Sequence, residues 1–246
     1  MIYDSVIIIP CYNEYARLAT ESFIDYLKLY PRHAMCFIDD GSTDKTRELL
    51  NKIKKECNNA FVVLLEKNAG KAAAVYNGIQ YACKNIDAGF YGYLDADLAT
   101  PLSFISIMEN EMKENEEVVL VFGSRQLAEK QSIERKIFRH YSGRLVSKLI
   151  TWALGIGYTD TQCGAKLLNK DGIAIGFSKP FNATWVFDVE VIKRLLLHYG
   201  KGDMKNKIKE IAVNQWKDVG NSKVSAFYIF KMLGELMKIK NMKQKN

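Results

Sequence analysis

Five short apolar runs, separated by segments of helical period, set the strongest limit on what this chain can fold into. Val6–Ile9, Met35–Ile38, Phe61–Leu65, Phe90–Leu94 and Val118–Phe122 contain no charged residue. A strand that is continuously apolar, not alternating, is buried on both faces, which is the habit of parallel sheets covered by helices. The stretches between the runs, about 14–29, 43–56, 71–84 and 102–115, read as helices. That β-α-β-α order predicts an α/β domain with a mostly parallel sheet flanked by helices. In such sheets ligands bind beyond the carboxyl ends of strands. The residues that follow each run are therefore the ones to read for chemistry.

The second half has a different texture. Glu134 to Leu154 reads as a long basic helix stopped by Gly155-Ile156-Gly157, and a loop-rich stretch with Gln162-Cys163-Gly164 follows. A helix is expected near Asp188–Tyr199 and a strand near Ile208–Val213. From Val224 to Met242, Phe227, Ile229, Phe230, Leu233, Leu236 and Met237 recur at helical spacing with lysines between them. Such a helix suits docking on the domain, self-association or a membrane interface. At 246 residues the chain fits one large domain or a domain with an extension.

The formal net charge is +7, unevenly spread. Residues 1–123 hold 12 Lys/Arg against 18 Asp/Glu, and residues 124–246 hold 23 against 10. An acidic half suits metal binding; a basic half suits phosphates or an anionic surface. The five cysteines show no C-x-x-C spacing and read as reduced, mostly buried thiols. Three scattered histidines argue against a histidine metal site or a Ser-His-Asp triad. The first residues lack the pattern of a signal peptide, and no apolar run approaches the roughly 20 residues a spanning helix needs.

Four strand ends carry chemistry. The first run leads into Pro10-Cys11-Tyr12-Asn13-Glu14: proline stops the strand, tyrosine offers a flat face for a base, and Glu14 can accept hydrogen bonds. Asn13 can also serve locally as a helix cap. The second leads into Asp39-Asp40-Gly41-Ser42-Thr43-Asp44, where two adjacent acids exceed what a cap needs and can bind base N–H groups or ribose hydroxyls. The third leads into Asn68-Ala69-Gly70-Lys71, a glycine and a lysine at a helix N-terminus, where an anion is favoured. The fourth ends Asp95-Ala96-Asp97. Alternate residues of a strand point the same way, so the two carboxylates can face one site. Such a pair repels itself unless a cation or donor-rich ligand lies between, and Mg2+ or Mn2+ shared with substrate phosphates fits it. Neither the GxxxxGK[ST] spacing nor GxGxxG is present. Together these ends suit a nucleoside diphosphate and a divalent cation.

Taken in order, these four motifs resemble those of family 2 glycosyltransferases with the GT-A fold, a Rossmann-like mostly parallel sheet. Gly123-Ser124-Arg125, the basic segment around Arg139, Asp160-Thr161-Gln162-Cys163-Gly164-Ala165-Lys166, Trp185-Val186-Phe187-Asp188-Val189-Glu190 and Gly220-Asn221-Ser222-Lys223 narrow the resemblance. They are similar to the dolichyl-phosphate glucosyltransferase and polyprenyl-phosphate sugar synthase branch. The resemblance covers roughly residues 4–225. It implies a catalytic domain over 1–221, with a nucleotide-sugar half over 1–123 and an acceptor half over 124–221, and a basic amphipathic helical tail over 222–246. By it, Pro10, Tyr12, Glu14, Asp39 and Asp40 hold the nucleoside. Lys71, Asp95, Ala96 and Asp97 meet ribose and metal–diphosphate, with Asp97 the stronger metal ligand. Arg125, Arg139 and Lys223 meet phosphates of donor or acceptor. Ala165 stands where a bulkier aromatic is usual, and Ala99 where some relatives place a polar metal ligand.

The implied reaction is inverting transfer of a hexose, glucose favoured, from a nucleoside-diphosphate sugar, UDP favoured, to a polyprenyl or dolichyl phosphate. A lipid phosphate is already an anionic nucleophile. A saccharide hydroxyl, the alternative acceptor, needs a base, and Asp188 is the first choice, although it can equally cap the helix that follows. The expected setting is the cytoplasmic face of a membrane, with an anionic surface, a second copy or an integral-membrane protein as partner, and no nucleic acid. A dehalogenase-type phosphatase using Asp95 and Asp97 leaves Asp39-Asp40 unexplained. A basic binding module built on Arg135–Lys148 conflicts with the acidic half.

Overall fold

The computed structural model describes residues 2–129, 137–217 and 226–243 of the chain. In chain order the elements are β1 (Tyr3–Cys11), α1 (Thr20–Leu29), β2 (His33–Asp39), α2 (Thr46–Glu56), β3 (Ala60–Leu64), α3 (Lys71–Asn85), β4 (Ala88–Tyr93), α4 (Phe104–Glu114) and β5 (Leu120–Ser124). There follow α5 (Arg125–Glu129), α6 (Ile137–Leu154), β6 (Lys166–Leu168), α7 (Lys170–Gly176), α8 (Phe187–Lys207), β7 (Ile208–Ala212) and α9 (Ala226–Lys240). All five apolar runs form strands. The helix expected from about residue 14 begins only at Thr20, because the preceding residues are turns committed to the site.

One seven-stranded sheet has the order β3-β2-β1-β4-β6-β5-β7. Every pairing is parallel except those of β6, which runs antiparallel to both β4 and β5. The alternation of side chains along β1 splits the core in two. Val6 and Ile8 face a layer with Ala74, Val75 and Ile79 of α3 and with α8, while Ile7 and Ile9 face α1, α2 and α4 through Phe23, Leu50 and Ile105. All four β1 residues are fully buried; each such side chain stabilises the fold by about 1.5–3 kcal/mol over exposure.

After β3 the chain crosses back to the other side of β1, so the sheet's direction of growth reverses between β1 and β4. A crevice opens at the carboxyl ends of strands where the order reverses in this way. Pro10–Glu14 and Asp95–Asp97 flank this one.

Three elements were not foreseen from the sequence, α5, β6 and α7. Asn169 caps α7 by accepting from the Gly172 N–H at 2.8 Å. The helix expected near Asp188–Tyr199 is longer, running to Lys207 across a break at Gly200 (φ 79°). Segment 226–240 is helical and packs on α6 and α8, with Leu236 and Ile239 buried. Among the described residues no helix is long and apolar enough to cross a membrane. All five cysteines are free thiols, and only Cys83 is exposed.

Gly92 of β4 lies against β6 so closely that a Cβ would run into the Lys166 carbonyl oxygen and the Leu167 side chain. Gly92→Ala is expected to destabilise the fold by about 1–3 kcal/mol, as overpacking does. Urea denaturation should show a lower midpoint at unchanged m-value.

Candidate active site

The loops after β1 and β2 are stitched together. The Asn13 N–H donates to Ser42 Oγ (3.0 Å), and Asn13 Oδ1 accepts from the Thr43 N–H (2.9 Å). Asn13 takes a left-handed conformation (φ 53°) to do so, which asparagine tolerates. It braces the neighbouring loop and caps no helix. The Glu14 N–H donates to Thr46 Oγ1 (2.7 Å), and the buried Glu14 carboxylate is gripped by both arms of Arg17. Burial weakens the Arg17 charge less than the bond to Glu14 and the nearby Asp97 and Asp95 strengthen it, so its pKa is raised. Tyr12 beside them is 44% exposed.

Asp39 and Asp40 are both buried but do different work. Asp39 accepts from the Ser42 N–H (2.9 Å) and from Arg47 Nε (3.2 Å). Asp40 turns to the third loop, where Oδ1 accepts from the Ala69 N–H (2.8 Å) and Oδ2 from the Gly70 N–H (2.8 Å) and Asn68 Nδ2 (3.1 Å). Burial and the Asp39 charge raise the Asp40 pKa despite those two backbone donors. Gly41 (φ 70°) lets the loops touch, since a Cβ there would lie 2.6 Å from the Asn68 nitrogen. Gly70, at φ 87° and ψ 159°, occupies a region open essentially to glycine alone and starts α3. The sequence grouped both acids with the nucleoside; the structure commits both Asp40 oxygens to the loop that carries Lys71.

Lys71, first residue of α3, forms an ion pair with Asp95. Burial would lower its pKa, but Asp95, Asp188 and Asp97 raise it, so the ammonium stays charged. Asp95 also presses on Gly164, where a Cβ would overlap its carboxylate. The glycine of the Gln162-Cys163-Gly164 block is thus the floor beneath Asp95. Ala96 between the acids is buried, and Leu98 is held at φ 54°, a strain that persists when the surroundings over-determine it. Asp97 Oδ1 accepts from the Ala99 N–H (3.0 Å); its other oxygen meets no protein donor among the described residues. The Ala99 carbonyl in turn accepts from the Lys217 N–H (2.9 Å).

These two carboxylates suit a hard divalent ion that takes its other ligands from diphosphate and water. Among the described residues no group of three potential protein ligands converges. Asp97 is the more available of the two, because Asp95 is already paired with Lys71.

Arg125, at the end of β5, is held by Asp160 through Nε and Nη2 at 2.7 Å each, and its own N–H donates to Asp160 at 2.9 Å. Burial opposes its charge, but Asp160 raises its pKa. Its guanidinium lies 5.9 Å from the Trp216 ring centre. The Arg139 side chain and Lys223 lie outside the described residues.

Asp188 does not cap α8: the cap position is Val186, and Asp188 sits in the first turn. Its Oδ1 accepts from Tyr93 Oη and from Lys166 Nζ, both at 2.6 Å. Lys166 is fully buried. It lies in register between Tyr93 of β4 and Phe122 of β5, its ammonium 5.3 and 5.8 Å from their ring centres, and it donates to the Cys163 carbonyl at 2.8 Å. Burial, then Asp188, push the Tyr93 phenol far up, so it stays a donor. Lys166 and Tyr93 were missed as site residues. The one available signal was a lysine two positions beyond Gly164 in a block already singled out.

Gly164→Ala is expected to cost about 1–3 kcal/mol by overpacking. In an Asp95→Ala background that penalty should fall by at least half, because the colliding carboxylate is gone. A double-mutant cycle in denaturant measures the coupling.

The model of the family described as glycosyl transferase family 2 matches residues 6–174. The chain is 33% identical over 247 residues to the dolichyl-phosphate beta-glucosyltransferase ALG5D of Trichomonas vaginalis, covering 94% of this chain and 71% of that protein. To the dolichyl-phosphate beta-glucosyltransferase of Mus musculus it is 30% identical, covering 93% and 72%. In fold it is similar to glucosyl-3-phosphoglycerate synthase from Mycobacterium tuberculosis, solved with Mn2+, UDP and phosphoglyceric acid, at a TM-score of 0.72, 16% identity, 99% of this chain and 80% of that one. With the strand-end motifs gathered at the reversal of its sheet, the chain belongs to glycosyl transferase family 2 and is a glycosyltransferase of the GT-A fold.

Proposed function

We propose that this enzyme transfers glucose, with inversion, from UDP-glucose to a polyprenyl phosphate of the dolichyl type. The observation that carries the reading is the grouping of Lys71, Asp95 and Asp97 at the reversal point of the sheet, one cation and two carboxylates facing the crevice. The names of the relatives supply the sugar and the acceptor class, and the complexes of the fold neighbour supply UDP and a divalent metal.

In this reading Pro10, Tyr12, Glu14 and Asp39 line the nucleoside, while Asp40 supports it from behind by fixing the loop before Lys71. Asp97, assisted by Asp95, is the candidate ligand for Mg2+ or Mn2+, which when bound neutralises charge developing on the leaving diphosphate. Lys71 is charged and already aimed at the same place, so it stabilises that charge without reorganising. Arg125, with one edge of its guanidinium fixed by Asp160, presents the other to a phosphate; Arg139 and Lys223 are assigned to the same anionic path. Residues 1–123 thereby serve the donor and 124–221 the acceptor.

The state of Asp188 favours a phosphate acceptor over a hydroxyl. One of its oxygens already receives a lysine ammonium and a phenol, so the carboxylate is engaged in holding its neighbours. A phosphate attacks without a base; a saccharide hydroxyl does not.

A membrane surface is the natural source of such an acceptor, and the cytoplasmic face the natural side. The outer face of α9 carries Phe230 (74% exposed) and Met237 (47% exposed) beside exposed Lys231 and Lys238. Nearby, Lys240 lies 3.6 Å from the ring centre of half-exposed Trp152. Apolar side chains flanked by lysines suit the headgroup region of an anionic bilayer.

Purified protein with UDP-glucose, Mn2+ and a polyprenyl phosphate should yield a glucosylated lipid phosphate and UDP. Asp97→Asn should lower that turnover by about a hundredfold or more, a range typical of losing a charge-stabilising group, with an unchanged circular dichroism spectrum. Turnover equal to wild type would sink the assignment of Asp97. The protein should also co-sediment with anionic liposomes, less at high salt and less for Phe230→Asp/Met237→Asp. Indifference to both would favour a soluble acceptor.

A further inference from the structure

The segment entering α8 is held by two buried carboxylates. Five consecutive backbone N–H groups, those of residues 182–186, donate to them. Asn182 and Ala183 donate to Glu190 at 2.8 and 2.9 Å. Thr184, Trp185 and Val186 donate to Glu235 at 3.1, 2.9 and 3.1 Å, and the Thr184 hydroxyl adds a bond at 2.7 Å. Glu190 belongs to α8 and is itself steadied by Arg194 at 2.8 Å. Glu235 comes from α9, about fifty residues further along the chain. Both carboxylates are buried.

The first N–H groups of a helix lack partners inside it, and a side chain must satisfy them when water is excluded. The usual donor-satisfying residue is local, but the cap position of α8 is Val186, which has no polar side chain. Glu235 meets one of those groups from a distance, the Val186 N–H, together with the two N–H groups that precede it. Its charge also opposes the positive end of the α8 dipole. Burial alone would raise its pKa, but Thr184 and the three backbone donors lower it, so it remains ionised. Asp188 follows Val186 by two residues, in the turn those bonds fix.

We infer that Glu235 is a positioning residue for the acceptor side of the site, holding the Thr184–Val186 segment so that Asp188 meets Lys166 and Tyr93. The inference rests on the reading of that side as the acceptor site. It gives α9 a role in catalysis apart from any membrane contact: one face of the helix presents Phe230 and Met237 to the outside, and the other closes the start of α8.

The test compares wild type, Glu235→Ala and the isosteric Glu235→Gln, each checked by circular dichroism. Amide hydrogen exchange in 184–188 should rise about tenfold or more in Glu235→Ala and less in Glu235→Gln, with exchange in β1, α3 and β4 unchanged. The kcat for transfer to polyprenyl phosphate should fall about tenfold or more, as misplacement of a reacting group does, while affinity for UDP with Mn2+ stays the same. Glu235→Gln should recover part of the rate. Unchanged exchange would overturn the inference, and so would raised exchange with unchanged kcat, or a parallel loss of UDP affinity. If wild type itself transferred no sugar to the lipid, the acceptor reading would fall, while the exchange data would still decide whether Glu235 holds the segment.

Discussion

A single buried ammonium joins the parts of this site. Lys166 has no solvent exposure, and a charge so placed is tolerated only when fully partnered. Its partners are the Cys163 carbonyl, the Asp188 carboxylate and the faces of two aromatic rings. The first fixes the turn that places Gly164 under Asp95, and the second fixes the start of α8. Removing one member of such a pair leaves the other buried and unpaired, which typically costs about 3–5 kcal/mol. The Asp95 corner and the start of α8 are therefore tied through one side chain that is closed to solvent.

The same economy of shared supports recurs around the crevice. Asp40 holds the Lys71 loop, Asn13 holds the Asp39 loop, Asp160 holds Arg125, and Glu210 in turn accepts from the Asp160 N–H at 2.7 Å. In each case a carboxylate or amide oxygen satisfies backbone or guanidinium donors of the next strand end. Side chains supported in this way are organised before substrate arrives, which is where electrostatic catalysis gains its advantage.

Much of this was legible in the sequence, and the limits follow from the range of the interactions involved. Continuous apolar runs report strands directly, since burial on both faces leaves no room for charge. Gly70-Lys71 reports a helix start because only glycine reaches that backbone region. By contrast, β6 is three residues long and has lysine at a core position, so periodicity reads it as loop. Asp39 and Asp40 look alike in sequence; that Asp40 is the one bound to the third loop depends on where residues 68–70 pass. Asp188 resembles a cap until Tyr93 and Lys166 are seen beside it. Glu235 could not be read at all, because nothing in its own helix signals a partner some fifty residues away.

The antiparallel insertion of β6 has a consequence for how the chain assembles. β4 and β5 follow one another in sequence yet share no hydrogen bonds; β6 lies between them and pairs with both. Strands β1 to β4 can join as soon as they are made, whereas β5 has no place in the same sheet until residues 166–168 arrive, and β7 then adds to the far edge of β5. During synthesis the growing protein therefore passes through a stage with the β4 edge open, and unpaired edges invite association with other chains. The lysine at that position, hydrophilic until its partners are in place, makes the strand that closes the β4 edge a poor template for other chains beforehand.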